Sequence, residues 1–513
     1  MMRRKPFGSM ALPFAPGGGT VAPRRALAVV VGLLVLLLLL GRLWWLPAHA
    51  PLDVNEGWNA MQAMRAFGPG SLYPPPDALT ANNYPPLSFF LVGGVGRLTG
   101  DNVVAGRLVS LLAEALAAAA VLVAAGRLAR GRVWGWLGLG IFAGFAVTLL
   151  RPYAVMNDPQ WIAEAAMLWA FVLLLPASPD RRLRRGAVAF SALLVVAGLL
   201  TKHNAVVLPA VMFLWLWRTE RAALLRWCLT GLGLAVLAGG AMLLLWGTAP
   251  FVGILGAARS YSLSRMVLKG GPTLLALLPG LLACAPLWRR RRDPAGFVSI
   301  LLLLFSVPVA LIQRSGDGVD VNAAFEAVIA LAVALPVACA TRPEGAGRRV
   351  LLAVLPVLCL LPFAMRDNLG ELSGRDAAVR RWADLVARVA AATGPVACDD
   401  QVVCYWAGRD AGLDVFLLKQ RLLKGPDPAL EAALAARRFA IIELRTDDTS
   451  WHADLLRPLI LRYYVPAYAA GGVALLVPAG AAAGPTPACG PARASPGGPP
   501  ADACVAGSTP DHP

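Results

Sequence analysis

The sequence predicts an α-helical polytopic membrane protein with about eleven transmembrane helices, followed by a small C-terminal α/β domain outside the membrane. Hydrophobic residues occupy 58% of the 513 positions and charged residues only 15%. The mean hydropathy is +0.62, whereas soluble domains are far more polar. Apolar runs of roughly 17 to 25 residues, long enough to span a bilayer, recur as far as residue 366. Beyond that point, short candidate strands replace the long runs.

The transmembrane helices are read from the apolar runs in chain order. The runs centre near residues 36, 113, 141, 167, 193, 211, 237, 280, 304, 332 and 357. Asn157 and Asp158 interrupt the fourth run, and Thr201 to Asn204 separate the fifth run from the sixth. Short or interrupted spans line cavities in membrane proteins, so we expect a functional site beside these two breaks.

The orientation is predicted from the charges of the loops. Basic residues cluster in every second loop, around positions 24–25, 127–132, 181–185, 218–226, 289–292 and 342–349. Cytoplasmic loops carry the excess of Lys and Arg, which places the N-terminus inside the cell and the C-terminus outside. The first run lacks a convincing cleavage site and is read as an uncleaved anchor. Because the net charge of +17 comes from these clusters rather than from one basic face, nucleic-acid binding is not expected.

Four segments are predicted along the chain. Residues 1–26 form a cytoplasmic N-terminal segment, and residues 27–366 form the transmembrane domain, with residues 47–100 as its first outer loop. Residues 367–480 form the extracytoplasmic α/β domain, with candidate strands near residues 396–398, 440–444 and 472–477. Residues 481–513 are rich in Ala, Gly and Pro, and we predict a disordered tail there.

The eight cysteines divide between the membrane and the outside. Those in the apolar runs are expected to pack as small apolar residues. Cys398 and Cys404 lie in the predicted outer domain, and Cys489 and Cys504 lie in the tail. Either of these two pairs could form a disulfide in an oxidising compartment. A straight strand would hold Cys398 and Cys404 too far apart, so their bond requires a bend. No pattern of Cys and His at zinc spacing occurs.

The most informative polar motif lies just beyond the first apolar run. Asp53 and Glu56 follow that run, and a rigid di-proline element, Tyr84-Pro85-Pro86-Leu87, lies further along the same loop. Charge at a membrane boundary indicates a functional site. A carboxylate there can take a proton from an acceptor hydroxyl while nearby cations hold the phosphate of a lipid-linked leaving group. The pattern therefore indicates glycosyl transfer from a polyprenyl phosphate.

These motifs resemble those of the GT-C superfamily of polyprenyl-phosphate-sugar-dependent glycosyltransferases, in particular the bacterial branch of protein mannosyltransferases and aminoarabinose transferases. The resemblance covers residues 27 to 365 and rests on four stretches, at residues 53–59, 84–87, 157–158 and 201–204. It implies a GT-C-like fold and inverting transfer, on the outer face of the membrane, from a polyprenyl-phosphate sugar to a hydroxyl of a lipid, glycan or protein acceptor. It implies no nucleotide sugar, consistent with the lack of a Rossmann-type glycine fingerprint. A divalent cation stays possible as a cofactor, with no ligands assigned.

The resemblance implies three candidate catalytic acids, Asp53, Glu56 and Asp158. Family members commonly carry adjacent Asp and Glu in the first loop, where this chain has Asn55-Glu56, so the choice of base between Asp53 and Glu56 stays open. An extended backbone would separate the two carboxylates, whereas a helical turn would bring them together. We expect the turn, with both lining one site. Asp158 either shapes the acceptor or metal site or caps a helix that begins at Pro159.

Cations and polar residues on the same side complete the predicted site. Lys202, Arg259 and Arg265 are the candidates for binding the donor phosphate. Snorkelling is the alternative for Lys202, and ordinary phospholipid headgroups are the alternative partners of the two arginines. The residues expected to line the substrate are Asn55, Trp58, Asn59, Tyr84, Asn157, His203 and Asn322.

The main alternative function is that of a transporter or lipid flippase, for which many spans and buried charges would serve equally well. Transporters often contain two related halves, and no internal repeat is seen in this sequence. A polymerase or ligase that joins glycans on polyprenyl carriers is chemically close, but usually carries a long outer loop between late spans. The usage of Ala, Arg, Gly and Pro is compatible with a GC-rich bacterial gene, which predicts an inner-membrane protein with a periplasmic active face.

Overall fold

The computed structural model describes residues 21–68, 70–75, 77–175, 183–256, 259–446 and 455–480. The predictions for residues 1–20 and for the tail at 481–513, with Cys489 and Cys504, lie outside these residues. Helices dominate as far as residue 390, and a four-stranded sheet with short helices follows. The predicted class, an α-helical membrane protein with a small C-terminal α/β domain, is confirmed.

The first part of the chain folds as a bundle of α-helices. Its first half contains α1 (Val21–Trp44), α2 (Val54–Arg65), α3 (Leu87–Thr99), α4 (Asn102–Leu128), α5 (Arg132–Ala146), α6 (Pro159–Leu174), α7 (Arg185–Leu199) and α8 (Val207–Thr219). Its second half contains α9 (Arg221–Trp246), α10 (Ala249–Gly256), α11 (Leu263–Arg265), α12 (Gly271–Ala283), α13 (Pro294–Arg314), α14 (Phe325–Thr341) and α15 (Ala346–Ala390).

The apolar runs of the sequence correspond to these helices. Each predicted centre lies in a helix, namely α1, α4 to α9 or α12 to α15. Six helical segments among the described residues are long and apolar enough to cross a membrane: Asn102–Leu128, Arg221–Trp246, Leu263–Ala283, Pro294–Arg314, Val321–Thr341 and Ala346–Ala390. Shorter apolar helices accompany them. A multi-pass membrane protein is thereby supported, while the number of eleven spans and the orientation stay predictions.

Two helices lie inside the predicted first outer loop. Asp53 caps α2, and its carboxylate accepts a hydrogen bond from the amide of Asn55, which is the side-chain cap that favours a helix start. Pro86 immediately precedes α3, and Gly100 ends it with a left-handed φ of 79°. The loop is therefore largely helical, and it brings the acidic motif and the di-proline element to the same end of the bundle.

Helices α14 and α9 differ in their surroundings. Nearly every side chain of α14 is buried, because α4, α5, α12, α13 and α15 pack around it. Helix α9 buries only Ala223, Trp227 and Met242, although it is equally apolar. An apolar helix that is exposed all along its length is expected to face lipid, whereas α14 forms the centre of the bundle.

The C-terminal domain is built on one sheet. Its elements are β1 (Val396–Cys398), α16 (Gln401–Trp406), α17 (Val415–Leu422), α18 (Pro428–Ala435), β2 (Ile441–Arg445), α19 (Leu456–Leu461), β3 (Tyr464–Ala470) and β4 (Val473–Pro478). The strand order is β1-β2-β4-β3, with β1 parallel to β2 and the other pairs antiparallel. Strands β1, β2 and β4 are those that the sequence predicts. The predicted boundary at residue 366 falls inside α15, which continues unbroken into this domain.

Cys398 and Cys404 form a disulfide with 5.9 Å between their Cα atoms. Cys398 ends β1 and Cys404 lies in α16. The chain turns at Asp399 and Asp400, and the carboxylate of Asp400 caps α16 through the amide of Val402. This turn is the bend that a disulfide at this spacing requires.

Candidate functional site

A cavity of about 460 Å³ lies between one end of the helix bundle and the C-terminal domain. Its walls come from the start of α2, the di-proline element, the loop between α7 and α8, helix α10, the segment after α13, and α17. The predicted site residues that border it are Asn55, Trp58, Asn59, Tyr84, Asp158, Lys202, His203, Arg259 and Asn322. Asp53, Glu56, Asn157 and Arg265 are not part of this lining.

Glu56 is fully buried, and each of its carboxylate oxygens accepts two hydrogen bonds. Nε and Nη2 of Arg107 donate at 2.9 and 2.6 Å, and the amides of Leu52 and Asn157 donate at 2.7 and 3.0 Å. A carboxylate has about four lone-pair sites, so no site is left for a substrate proton. The expected arrangement, in which Asp53 and Glu56 line one site, is not the one observed: the α2 turn directs Glu56 into the bundle.

Arg107 was not identified from the sequence. Its guanidinium is fully buried on α4 and also donates to the carbonyls of Trp45, Ala48 and Ala50 at 2.7 to 2.8 Å. It therefore fixes the chain between α1 and α2 as well as Glu56. The available signal was an arginine inside an otherwise apolar run, which in a membrane protein is expected to have a specific partner.

Asp53 lies at the N-terminus of α2 and is half-buried. Its Oδ1 accepts the amide of Asn55 at 2.9 Å. Burial raises the pKa of its carboxyl group to about 6, and the negative charges of Asp320, Glu56 and Asp158 act in the same direction. A carboxylate with a pKa close to the working pH is suited to general base catalysis.

Asp158 combines two roles at the start of α6. Its carboxylate caps the helix by accepting the amide of Gln160 at 2.8 Å, with Pro159 at the first helical position. The same Oδ1 accepts a hydrogen bond from Nζ of Lys202 at 3.0 Å. Both side chains are almost completely buried, with exposed fractions of 4% and 2%. The alternative of a helix cap is thus observed, and it coexists with a buried ion pair on the cavity wall.

Lys202 borders the cavity from the loop between α7 and α8. Among the described residues, the bond to Asp158 is the one hydrogen bond of its ammonium group, and the ring of Tyr84 lies 5.4 Å from Nζ. An ammonium group has three N–H donors. The remaining donors of Lys202 are therefore available to a ligand in the cavity.

The loop that carries Lys202 is held by two helices. Glu326 of α14 accepts the amides of Val207 and Leu208 at 3.0 and 3.3 Å, and so caps α8, which has no side-chain cap of its own. Gln313 of α13 exchanges hydrogen bonds with Asn204. Caps of this kind satisfy the free amides at a helix start, and here they fix the interruption in the apolar run.

The two predicted arginines differ in position. Arg259 borders the cavity, donates to the carbonyl of Asp317 at 3.0 Å, and lies over the ring of Phe416 at 5.1 Å. Arg265 donates to the carbonyl of Ser260 at 2.6 Å and lies 4.0 Å from the carboxylate of Asp317. Arg259 can therefore meet a ligand in the cavity, whereas Arg265 braces the neighbouring loops.

Aromatic and amide side chains complete the bundle side of the cavity. The Trp58 ring packs edge-on against Tyr84 at 5.2 Å, and the exposed His203 lies 6.4 Å from the Tyr84 ring. The amide of Asn59 donates to the carbonyl of Asn55 at 2.9 Å. The side-chain oxygen of Asn322 is buried and has no hydrogen-bond partner among the described residues.

The C-terminal domain supplies the opposite wall, which the sequence did not reveal. Its lining residues are Asp399, Gln401, Asp414, Val415, Phe416, Leu417, Gln420, Arg421, Lys424 and Arg445. Asp414 accepts the indole N–H of Trp58 at 2.9 Å, and burial raises the pKa of its carboxyl group. Gln420 donates to the carboxylate of Asp317 at 3.0 Å. These bonds hold α17 against the bundle.

Two of the three predicted catalytic acids at this site are already paired with cationic side chains. No group of three or more His, Cys, Asp or Glu side chains that could hold a metal ion occurs in the part of the chain that the structure describes. The carboxylates of Glu56 and Asp158 are engaged by Arg107 and Lys202.

No protein-family model and no curated protein sequence matches this chain. Solved structures do match it. The structure of ArnT from Cupriavidus metallidurans bound to undecaprenyl phosphate has 14% sequence identity and a TM-score of 0.57, over 91% of this chain and 100% of that one. The apo form of the same protein has 14% identity and a TM-score of 0.58, over 88% and 98%.

A second match is archaeal. The oligosaccharyltransferase AglB from Archaeoglobus fulgidus, in complex with an inhibitory peptide and a dolichol-phosphate, has 12% identity and a TM-score of 0.52, over 85% of this chain and 72% of that one. ArnT and AglB are both GT-C proteins. At these identities the similarity concerns the fold. The resemblance to the GT-C superfamily is confirmed at that level, and the chain has the GT-C fold.

Proposed function

We propose that this protein is a membrane glycosyltransferase that moves a sugar from a polyprenyl-phosphate donor to an acceptor hydroxyl, with inversion at the anomeric carbon. The observation that carries the proposal is Lys202, a buried ammonium group on the cavity wall with donors left over after its bond to Asp158. Burial of a charge without sufficient partners is costly. A phosphate oxygen supplies the missing acceptors.

The donor class is supported by the fold. ArnT was solved with undecaprenyl phosphate and AglB with a dolichol-phosphate, and both have the fold of this chain. We assign the phosphate of such a lipid to Lys202 and Arg259, which border the same cavity. Arg265 is assigned the role of bracing the loop that carries Arg259.

Asp53 is the proposed base. Glu56 has no free lone pair, and Asp158 is neutralised by Lys202 at 3.0 Å. Asp53 uses Oδ1 for the amide of Asn55, and its Oδ2 has no hydrogen-bond partner among the described residues. The next two residues of the chain, Val54 and Asn55, border the cavity. An acceptor hydroxyl bound at that wall of the cavity would therefore lie close to the Asp53 carboxylate.

The chemistry then balances as a single displacement. The acceptor oxygen attacks the anomeric carbon from the face opposite the phosphate and passes its proton to Asp53. The bond between the anomeric carbon and the phosphate oxygen breaks, and its electron pair leaves with the polyprenyl phosphate. Lys202 and Arg259 offset the charge that builds on that oxygen, which is the kind of electrostatic stabilisation that fixed cations provide best.

We further propose that the cavity opens on the periplasmic side of the bacterial inner membrane, with the N-terminus in the cytoplasm. Two observations support this orientation: basic residues cluster in alternate loops, and the C-terminal domain that closes the cavity contains the Cys398–Cys404 disulfide. Disulfides persist in oxidising compartments. Labelling of intact cells with a membrane-impermeant reagent at an added cysteine in the C-terminal domain tests the orientation.

Release of polyprenyl phosphate tests the reaction. The full-length protein, purified into lipid nanodiscs, is incubated with a panel of polyprenyl-phosphate sugars and with lipid, glycan and peptide acceptors. We expect acceptor-dependent release that Asp53→Asn reduces by at least about 100-fold and that Lys202→Met weakens. Absence of release across the panel, from protein that binds undecaprenyl phosphate, would favour a transporter or flippase. Release that survives Asp53→Asn would leave the enzyme and remove the proposed base.

A further inference from the structure

Val155 adopts a left-handed backbone conformation beside the cavity. Its φ is 64°, and its side chain is fully buried. For a β-branched residue this conformation is a genuine outlier, because the β-carbon crowds the following carbonyl. Such strain persists only where the surrounding structure over-determines the backbone. The turn that contains Val155 must therefore be held by its neighbours.

Asn157 supplies several of the contacts that hold the turn, and the buried Glu114 lies at the backbone amide of Val155. Its amide donates to Glu56 at 3.0 Å, its side-chain Nδ2 donates to the carbonyl of Asn102 at 3.3 Å, and its carbonyl accepts Nδ2 of Asn59 at 2.9 Å. A β-carbon on Gly106 would collide with its Oδ1. Helices α2 and α4 thus enclose this residue, which is buried and does not border the cavity.

Both ends of the turn are also fixed, and both border the cavity. The carbonyl of Tyr153 accepts the indole N–H of Trp161 at 2.8 Å, and the carbonyl of Asp158 accepts the hydroxyl of Ser110 at 3.3 Å. Tyr153 and Asp158 are part of the cavity lining. The strained residue lies between them and determines the direction in which the chain reaches α6.

We propose that residues 153–158 form a strained support that sets the position of Asp158, and that Asn157 is the positioning residue that keeps Val155 left-handed. A return of Val155 to negative φ would rotate the chain before α6 and separate the Asp158 carboxylate from Lys202. The strained turn thereby holds the Asp158 carboxylate against Lys202 before a ligand binds. The effect on catalysis rests on the proposed function, whereas the effect on stability does not.

A double-mutant cycle tests the coupling between the two residues. Val155→Gly removes the strain, because glycine adopts positive φ at no steric cost. Val155→Ala is the matched control, since it also removes the two methyl groups but keeps the β-carbon that causes the strain. Asn157→Ala, which removes the side-chain bond to the carbonyl of Asn102 and keeps both backbone bonds of this residue, is introduced into the wild type and into both of these backgrounds. Each protein is assayed in nanodiscs for thermal unfolding, for undecaprenyl phosphate binding and for sugar transfer.

The coupling between the substitutions at Val155 and Asn157 is expected to have one sign in phosphate binding and sugar transfer and the opposite sign in thermal unfolding. Asn157→Ala in the wild type should lower phosphate binding and transfer by about tenfold, the size expected for the loss of one hydrogen bond, and should lower them less in the Val155→Gly background. Unfolding should show the reverse. The stability lost through Asn157→Ala should be smaller in the wild type than in the Val155→Gly background, because relaxation of the strained Val155 offsets part of the loss in the wild type. The Val155→Ala background should behave as the wild type does.

The outcomes separate this inference from the proposed function. Equal Asn157→Ala effects in all three backgrounds, or the same change in the Val155→Ala and Val155→Gly backgrounds, would overturn the strained support. Coupling in unfolding without sugar transfer by any of the proteins would leave the support in place and remove the proposed reaction. Sugar transfer without any coupling between the two residues would keep the proposed reaction and remove the strained support.

Discussion

Two buried ion pairs lie at the same end of the bundle, and they differ in how completely their hydrogen bonds are satisfied. In the pair of Glu56 and Arg107, both side chains are fully buried, and every lone-pair site of the carboxylate is used. In the pair of Asp158 and Lys202, the side chains are nearly as buried, yet the ammonium borders the cavity with donors unused. Two pairs that are equally buried can therefore differ in how many hydrogen-bond donors they leave unused.

Glu56 and Asp158 look alike in the sequence, but this difference in hydrogen bonding predicts different roles for them. A saturated pair holds segments together, because each group that it binds would lose its partner if the pair broke. A pair with unused donors on a cavity wall can still bind a ligand. We therefore expect mutations of Glu56 and Arg107 to affect mainly stability, and joint neutral replacement of Asp158 and Lys202 to affect mainly binding.

The largest effect is expected at Arg107. Arg107→Ala leaves Glu56 buried and unpaired, which costs about 3–5 kcal/mol for a buried pair, and also frees several backbone carbonyls. Denaturant or thermal unfolding in detergent measures the loss. Arg127→Ala is the matched control on the same helix, since Arg127 donates to the carbonyls of Val172 and Leu175. An equal loss in the two variants would contradict the central role of the Glu56 pair.

The next effect concerns the proposed base. Asp53→Asn should reduce transfer by about 10²- to 10⁴-fold, the usual contribution of a general base. Because the carboxylate must be ionised to accept a proton and burial raises its pKa to about 6, the wild-type rate should increase with pH through about 6. Initial rates between pH 4.5 and 8 measure both.

Glu56→Gln serves as the comparison for this profile. It should lower the unfolding temperature, while its remaining transfer activity should keep the pH dependence of the wild type. If Glu56→Gln abolished the pH dependence and Asp53→Asn retained it, the two acids would have to exchange roles.

A double substitution sharpens the contrast with the second pair. Asp158→Asn with Lys202→Met removes both charges, and asparagine remains a good helix cap. Neutral replacement of both partners of a buried pair costs little stability, whereas loss of a charge-assisted hydrogen bond costs about 1.5–3 kcal/mol of binding. Calorimetry with undecaprenyl phosphate should therefore show roughly ten- to 100-fold weaker binding in a stably folded protein. Unchanged affinity would remove Lys202 from the phosphate site.

The smallest effect is expected at the disulfide that borders the C-terminal wall. Cys398→Ser with Cys404→Ser opens a short loop, and the loss of chain constraint corresponds to about 2 kcal/mol for so few residues. The unfolding temperature should decrease modestly, without loss of the bundle. Cys359→Ser, at an exposed free cysteine, is the control. A decrease of the same size in that control would exclude a role for the disulfide.

The sequence was informative where structure depends on neighbouring residues. The apolar runs correspond to helices, and three of the four strands were predicted. The missed elements have physical causes: α2 is polar on one face and was read as loop, and β3 contains Pro466 with mostly exposed side chains. Nine of the thirteen predicted site residues border one cavity, and three of them, Asp158, Lys202 and His203, come from the breaks in the apolar runs, which are local features of the sequence. Their catalytic and binding roles stay predictions.

The amino-acid sequence by itself determined the membrane class, the helices and the segments that carry polar residues, since these follow from the length and pattern of apolar runs. Only the tertiary structure decided which charges pair. Glu56 and Arg107 are 51 positions apart, Asp158 and Lys202 are 44 apart, and the Trp58–Asp414 bond that closes the cavity joins residues 356 apart. Nothing in a linear pattern distinguishes a carboxylate with all its lone pairs occupied from one with a free oxygen. That difference depends on which distant backbone and side-chain donors the packed helices bring to it.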